Sequence, residues 1–306
     1  MSVNKKESIM SRTKRRYIHT PKGYVIVDEI RENRHQKRGH KPFMTPKRFV
    51  LIMLLFLMLI AQVNMPNYTG FFHAGIAAAT AIFIETLIAG LNKRKLTFPD
   101  GAAITGLIIA LVLSPIVSSY ITALTTVIAI ASKHLFTFKK KPIFNPAAFG
   151  LLITSILFSS GQSWWGGLSM FPYWCIAFVC IAGFFVTEKV NKFPQVFSFL
   201  GIYFLMVLVM GIKGVENVGD LLRVPYINST LFLAFFMLTD PPTSLGKYRE
   251  QIIFGAITAI ASIASYMIFG GLIFPLVGIL IANGWKALKI YRKTKTARVS
   301  STSAAT

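Results

Sequence analysis

Residues Lys139–Gly150 read KKKPIFNPAAFG. Three lysines are followed at once by an apolar run that continues through LLITSILF, residues 151–158, with an Asn-Pro pair at the join. A lysine cluster against an apolar run marks the cytosolic edge of a membrane span. Asparagine is a favoured helix N-cap, and proline suits the first helical position. The stretch therefore predicts a helix that starts at Asn145 and enters the membrane from the lysine side. Its first turn carries unsatisfied N–H groups, so it is a place where something electron-rich can sit.

The rest of the chain agrees with a membrane setting. Of 306 residues, 54% are hydrophobic and only 14% are charged, and the mean hydropathy is +0.58. A soluble domain of this length has to cover its surface with charge. The net charge of +22 raises the question of nucleic acid. That reading is excluded because the positive charges fall in the connections between apolar segments. Cys175 and Cys180 lie in one apolar segment and form no CxxC, so neither a disulfide nor zinc is implied. No cleavable signal peptide is expected, since the first apolar run begins only near Arg48. No Walker motif, dinucleotide fingerprint or nucleophile elbow is present.

Ten apolar segments follow a polar, basic stretch: 48–63, 70–91, 101–117, 118–132, 144–160, 168–186, 194–212, 226–239, 251–269 and 271–288. Several fall short of the ~20 residues of a straight span, as in transporters whose helices end inside the protein. If the first end is cytosolic and the segments alternate, 31 of the 33 Lys and Arg residues fall inside, and only Lys213 and Arg223 fall outside. That is the asymmetry of the positive-inside rule. The expectation is an all-α membrane protein of about ten transmembrane helices in the plasma membrane, with both termini cytosolic. Residues 1–46 are expected to be a partly disordered basic tail, 47–290 the membrane domain and 291–306 a second basic tail. Ten spans divide into five plus five, and an odd number inverts the second half. A faint echo supports this: Thr105 to Leu113-Ser114 and Thr230 to Leu238-Thr239 share their spacing, and each precedes a proline, Pro115 or Pro241.

Three punctuated motifs then fall on the cytosolic side. They are Phe98-Pro99-Asp100-Gly101, opening the third segment, Phe144-Asn145-Pro146, opening the fifth, and Thr239-Asp240-Pro241-Pro242-Thr243, closing the eighth. Asp100 and Asn145 read as caps, so two helix N-termini with partial positive charge meet one interface. Glu85 is the only acid well inside a segment, about two turns or ~12 Å from Lys93. An intramembrane carboxylate needs a polar cavity or a partner helix. His73 and His134 read as interface residues, and Trp164, Trp165 and Trp285 as an interfacial aromatic belt.

Together these motifs resemble the NqrB/RnfD family, the membrane subunits of the sodium-pumping NADH:quinone reductase and of Rnf complexes. The resemblance rests on FNPAAFG, on LTDPPTS followed by QIIFGAITAI, on DGAAITGLIIALVLSP and on the place of Glu85, and it covers roughly residues 48–290. It implies a ten-helix inverted repeat similar to urea and ammonium channels, and a riboflavin-type site in the membrane near the cytosolic side. One departure stands out. Family members that carry electrons attach FMN to a threonine in a Ser-x-Ala-Thr motif between spans five and six, and here residues 160–167, SGQSWWGG, hold no threonine. The Ser303–Thr306 sequence Ser-Ala-Ala-Thr lies on the wrong side and reads as coincidence. The expected cofactor is therefore riboflavin or FMN held non-covalently by Asp100, Thr105, Asn145, Pro146, Asp240 and Thr243, with Lys139 to Lys141 nearby. Glu85 is expected on an ion or proton path. The expected partners are the bilayer and other membrane redox subunits, with no nucleic acid. The alternative is a solute or ion channel of the same fold without redox chemistry.

Overall fold

The computed structural model describes residues 14–20, 23–29, 44–65, 67–93, 98–139 and 141–303, side chains excepted in the first two stretches and in most of the last eleven residues. Arg94, Lys95, Lys140 and residues 304–306, the last with most of the Ser-Ala-Ala-Thr, lie outside them. The chain divides into Met1–Phe43 and Met44–Thr306. The described part of the first unit is an antiparallel hairpin, β1 (Lys14–Thr20) and β2 (Gly23–Glu29), in register from Lys14↔Glu29 to Thr20↔Gly23. The basic tail expected from composition thus contains paired strands.

Among the described residues the second unit holds ten α-helices, one for each apolar segment. They are α1 (Pro46–Val63), α2 (Thr69–Leu91), α3 (Asp100–Val112), α4 (Ser119–Leu135), α5 (Pro146–Phe158), α6 (Ile176–Val190), α7 (Phe193–Ile212), α8 (Tyr226–Phe232), α9 (Tyr248–Phe269) and α10 (Phe274–Ser303). Two two-residue strands, β3 (Thr137–Phe138) and β4 (Lys141–Pro142), form a small hairpin before α5. Local chemistry sets many of the boundaries. Thr45 caps α1, accepting from Arg48 N at 3.4 Å, with Pro46 behind it. Asn145 caps α5, accepting from Ala148 N at 3.1 Å, with Pro146 at the first position. Asn191 closes α6 with φ 55°, and Gly270 closes α9 with φ 65°. Helix α10 runs unbroken to Ser303, so the second basic tail is not separate from the last helix.

Among the described residues five helical segments are long and apolar enough to cross a membrane: Pro46–Val63, Thr69–Leu91, Tyr173–Val190, Phe193–Ile212 and Tyr248–Phe269. Helix α2 shows why a membrane is required. Its most apolar window has mean hydropathy 1.9, yet only 17% of it is buried within the protein. Phe72 and Phe83 stand more than 60% exposed on it, as do Ile156 and Leu157 on α5. So much apolar surface needs a non-aqueous solvent.

Two short segments form the centre. Helix α3 has 13 residues and nearly all of it is buried; at 1.5 Å per residue it is about 20 Å long. Helix α8 continues into a five-residue π-helix, Leu233–Met237, buried throughout. Around them α1 packs on α3 and α6, and α2 packs on α3 and α4. Helix α4 packs on α5, α7 on α9, α9 on α10, and α5 on α10. Several of these contacts depend on glycine. A Cβ at Gly150 would lie 2.6 Å from the Thr125 carbonyl oxygen of α4, and one at Gly278 would lie 2.7 Å from the Thr258 carbonyl oxygen of α9.

The connection after α5 is not an exposed loop. Ser163 N and Trp164 N donate to Val112 O, Trp165 Nε1 donates to Ala110 O at 2.7 Å, and Trp164 Nε1 donates to Leu272 O at 3.1 Å. The segment satisfies the carbonyls at the end of α3 that no further turn can reach. Trp164 and Trp165 are at most 1% exposed, which removes them from the expected interfacial belt. Their indole N–H groups serve the fold's interior instead. Trp285 is half-buried, with Lys289 Nζ 4.9 Å above its ring.

Candidate functional site

The three motifs meet at one end of the second unit. Helices α1, α3 and α5 begin there, and α4, α6 and the π-helix finish there. A cleft of about 780 Å³, mouth included, lies between them. Pro46, Lys47 and Val50 contribute from α1, Gly101, Ile104, Thr105 and Ile108 from α3, and Lys133 from α4. Asn145, Pro146 and Ala147 contribute from the start of α5, and Phe236 and Thr239–Pro242 come from the chain leaving the π-helix. The first turns of α3 and α5 both border this space, so two helix N-termini act on it.

Thr105, Asn145, Pro146 and Asp240 line the cleft, whereas Asp100 and Thr243 stand beside it. Asp100 is the first residue of α3 rather than its cap; the cap position is Pro99, and the Asp100 carboxylate lies 3.8 Å from Arg48. Thr105 Oγ1 donates to Gly101 O at 2.9 Å, leaving only its acceptor capacity for a ligand. Asn145 is 3% exposed and committed to the fold. Its Oδ1 accepts from Ala148 N and its Nδ2 donates to Met237 O at 3.1 Å. These bonds fix the side chain and leave its amide one N–H and one lone pair for a ligand.

The Asp240 loop is held by donors that nothing in the local sequence announces. In the π-helix Leu238 N reaches back five residues to Leu233 O. That wider turn leaves the carbonyls that follow without helical partners. Gln195 Nε2 donates to Leu238 O at 2.6 Å, and Lys192 Nζ to Leu245 O. Lys286 Nζ donates to Pro242 O at 2.9 Å, and Asn283 Nδ2 to Thr243 O at 3.3 Å. Thr243 Oγ1 donates to Asp240 Oδ2 at 2.8 Å. Burial holds the Asp240 carboxyl above the usual carboxylate range, against the pull of Thr243 and of Lys286, Lys47 and Lys133. Burial likewise pushes Lys192 below the usual lysine range, and the Asp240 charge opposes it.

Glu85 does not line the cleft but is joined to it. Its Oε1 lies 2.9 Å from Lys133 Nζ, and its Oε2 lies 3.0 Å from His134 Nε2. Lys133 itself lines the cleft. His134, read from sequence as an interface residue, is thus a partner of the one acid inside an apolar segment. The signal was available: Lys133-His134 ends the apolar segment whose helix packs on α2. Helix α2 also carries His73, 6% exposed, whose Nδ1 lies 2.6 Å from Thr122 Oγ1. Lys139 and Lys141 do not line this cleft; they line a neighbouring one with Lys286.

The NQR2, RnfD, RnfE family model matches residues 35–170. Over this region the chain is similar to the NqrB/RnfD family. The match takes in α1 to α5 and the connection that caps α3, and so Glu85, Lys133 and Asn145; the Asp240 loop lies beyond it. The RnfD component of the ion-translocating oxidoreductase complex of Pectobacterium carotovorum subsp. carotovorum (strain PC1) is 28% identical over 125 residues, 39% of this chain and 36% of that protein. The chain therefore aligns with about a third of that relative.

Proposed function

We propose that this chain is a membrane subunit of an ion-translocating electron-transport complex and that its cleft holds riboflavin or FMN non-covalently. The observation that carries the reading is the convergence of two helix N-termini, Lys133 with its Glu85 partner, and Asp240 on one space. That space suits a flat, mostly apolar ring with a polar edge, since Val50, Ile104, Ile108 and Phe236 supply apolar walls. Bound there, a flavin would supply the capacity to accept and release electrons. The chain's own task is electrostatic. The first turns of α3 and α5 direct N–H dipoles at the cleft, and Lys47 and Lys133 add full charge, so negative charge arriving there is stabilised. Asp240, bonded to Thr243, offers an acceptor at the opposite wall. Glu85 balances Lys133, and a change of charge in the cleft alters the demand on Glu85 for a proton or cation.

Ten membrane crossings in a 5+5 inverted repeat complete the reading. Packing supports it. Contacts α2–α4, α4–α5 and α1–α3 have counterparts in α7–α9, α9–α10 and α6–α8, while α1–α6 and α5–α10 join the halves. Gly150 at α4–α5 and Gly278 at α9–α10 are the matching close approaches. Reporter fusions after Lys141, Lys192 and Lys247 should read cytosolic, and fusions near Gly161 and Val215 external. A cytosolic signal from both of the latter would overturn the arrangement.

Flavin content is tested directly. Protein purified in mild detergent with riboflavin and FMN supplied should carry close to one flavin per chain, all of it released on denaturation. Ile104→Trp, which fills the cleft, should remove it. Flavin-free wild-type protein would overturn the reading in favour of a solute channel, and a flavin that survives denaturation on the chain would overturn non-covalent binding.

A further inference from the structure

The lysines of the opening stretch have their own cleft. It lies between the β3–β4 hairpin and α10, encloses about 580 Å³ with its mouth, and is bordered by Lys139, Lys141 and Lys286 with no carboxylate among its lining residues. Phe138, Ile143 and Ile290 give it an apolar side. Three lysine side chains bordering an apolar floor can bring positive charge to an anion attached to a hydrocarbon body. Lys286 is 8% exposed, and Pro242 O takes only one of the three donors that an ammonium carries. Lys139 and Lys141 are exposed, and Lys139 Nζ stands 5.7 Å over the Phe138 ring.

We propose that this cleft binds the phosphodiester of an anionic phospholipid, with the lysines holding the phosphate and the apolar side taking the glycerol and upper acyl carbons. The surroundings favour a lipid over a soluble anion. Leu135 and Leu288, beside the cleft in sequence, are 75% and 59% exposed, so apolar surface continues from it into the bilayer region. A basic recess between membrane helices where apolar surface meets charge is a site for acidic head groups. The same Lys286 that lines this cleft holds the Asp240 loop, so a lipid here would brace one wall of the larger site.

The test uses the full chain in non-ionic detergent, with dioleoyl phosphatidylglycerol, dioleoyl phosphatidylcholine and glycerol 3-phosphate as probes. Native mass spectrometry and thermal unfolding are the readouts. Phosphatidylglycerol should be retained roughly tenfold over phosphatidylcholine and should raise the unfolding temperature. Glycerol 3-phosphate should do neither. The double variant Lys139→Gln/Lys141→Gln, at exposed positions, should lose the preference, while Lys247→Gln/Arg249→Gln should keep it. Equal retention of the two lipids, an unchanged preference in Lys139→Gln/Lys141→Gln, or protection by glycerol 3-phosphate equal to that by the lipid would each overturn the proposal.

Discussion

Asn145→Ala should cost about 1.5–2.5 kcal/mol of stability and lower the unfolding temperature of the detergent-solubilised protein by several degrees. Two losses combine. The α5 cap disappears, worth about 1 kcal/mol. The Met237 carbonyl, at the end of the π-helix, loses the nearer of its two donors and keeps Asp240 N at 3.4 Å. Losing one such bond costs about 0.5–1.5 kcal/mol. The backbone of residue 145 would keep its bond to Asn283 Oδ1 at 2.8 Å, so that part of the clasp is not at stake. Two further substitutions separate the contributions. Asn145→Ser keeps a cap acceptor and loses the donor, and should fall between wild type and alanine. Asn145→Asp also keeps the acceptor but presents a carboxylate to Met237 O, and should be no better than alanine. Unfolding of Asn145→Ala within a degree of wild type would show that the clasp between α5 and the π-helix holds little.

The Asn-Pro helix start was legible because a cap and a first-position proline act within four residues of chain. The ten helices were legible for a similar reason, since each apolar run is bounded by charge, proline or glycine. What lay beyond the sequence was which apolar surface faces lipid and which faces protein. Helices α2 and α3 read alike, yet most of α2 is open and nearly all of α3 is enclosed. Hydropathy cannot separate them, because a lipid tail and a leucine side chain are equally apolar. The connection 159–175 was misread for the same reason: its tryptophans look like interfacial anchors until the orphan carbonyls of α3 are located. The donors that hold the Asp240 loop were illegible because their acceptors are backbone carbonyls forty or more residues away in the chain. Asp100 read as a cap from its place after a proline, but Pro99 occupies that position and Arg48 draws the carboxylate away.

Glu85 was legible as a lone acid, and its partners make a sharper expectation. The side chains of Glu85, Lys133 and His134 are 19%, 24% and 26% exposed, so the charges are only partly solvated. A carboxylate can only accept, so Lys133 Nζ and His134 Nε2 both donate to it. Glu85→Ala leaves the ammonium beside the cleft without its counter-charge and should cost about 1–3 kcal/mol. Glu85→Gln keeps the shape and an acceptor and should cost less. Glu85 and Lys133 share one contact at 2.9 Å. In a double-mutant cycle, Glu85→Ala and Lys133→Ala should therefore couple by about 1 kcal/mol or more. With flavin bound, Glu85→Gln should leave the flavin-to-protein ratio near wild type, since Glu85 does not line the cleft. It should move the midpoint potential in the positive direction, because Lys133 is then free to stabilise negative charge there. It should also flatten the pH dependence of that potential if Glu85 is the group that takes up the proton. Additive single variants, together with an unshifted potential and an unchanged pH slope, would leave Glu85 as a helix-to-helix tie with no part in the chemistry.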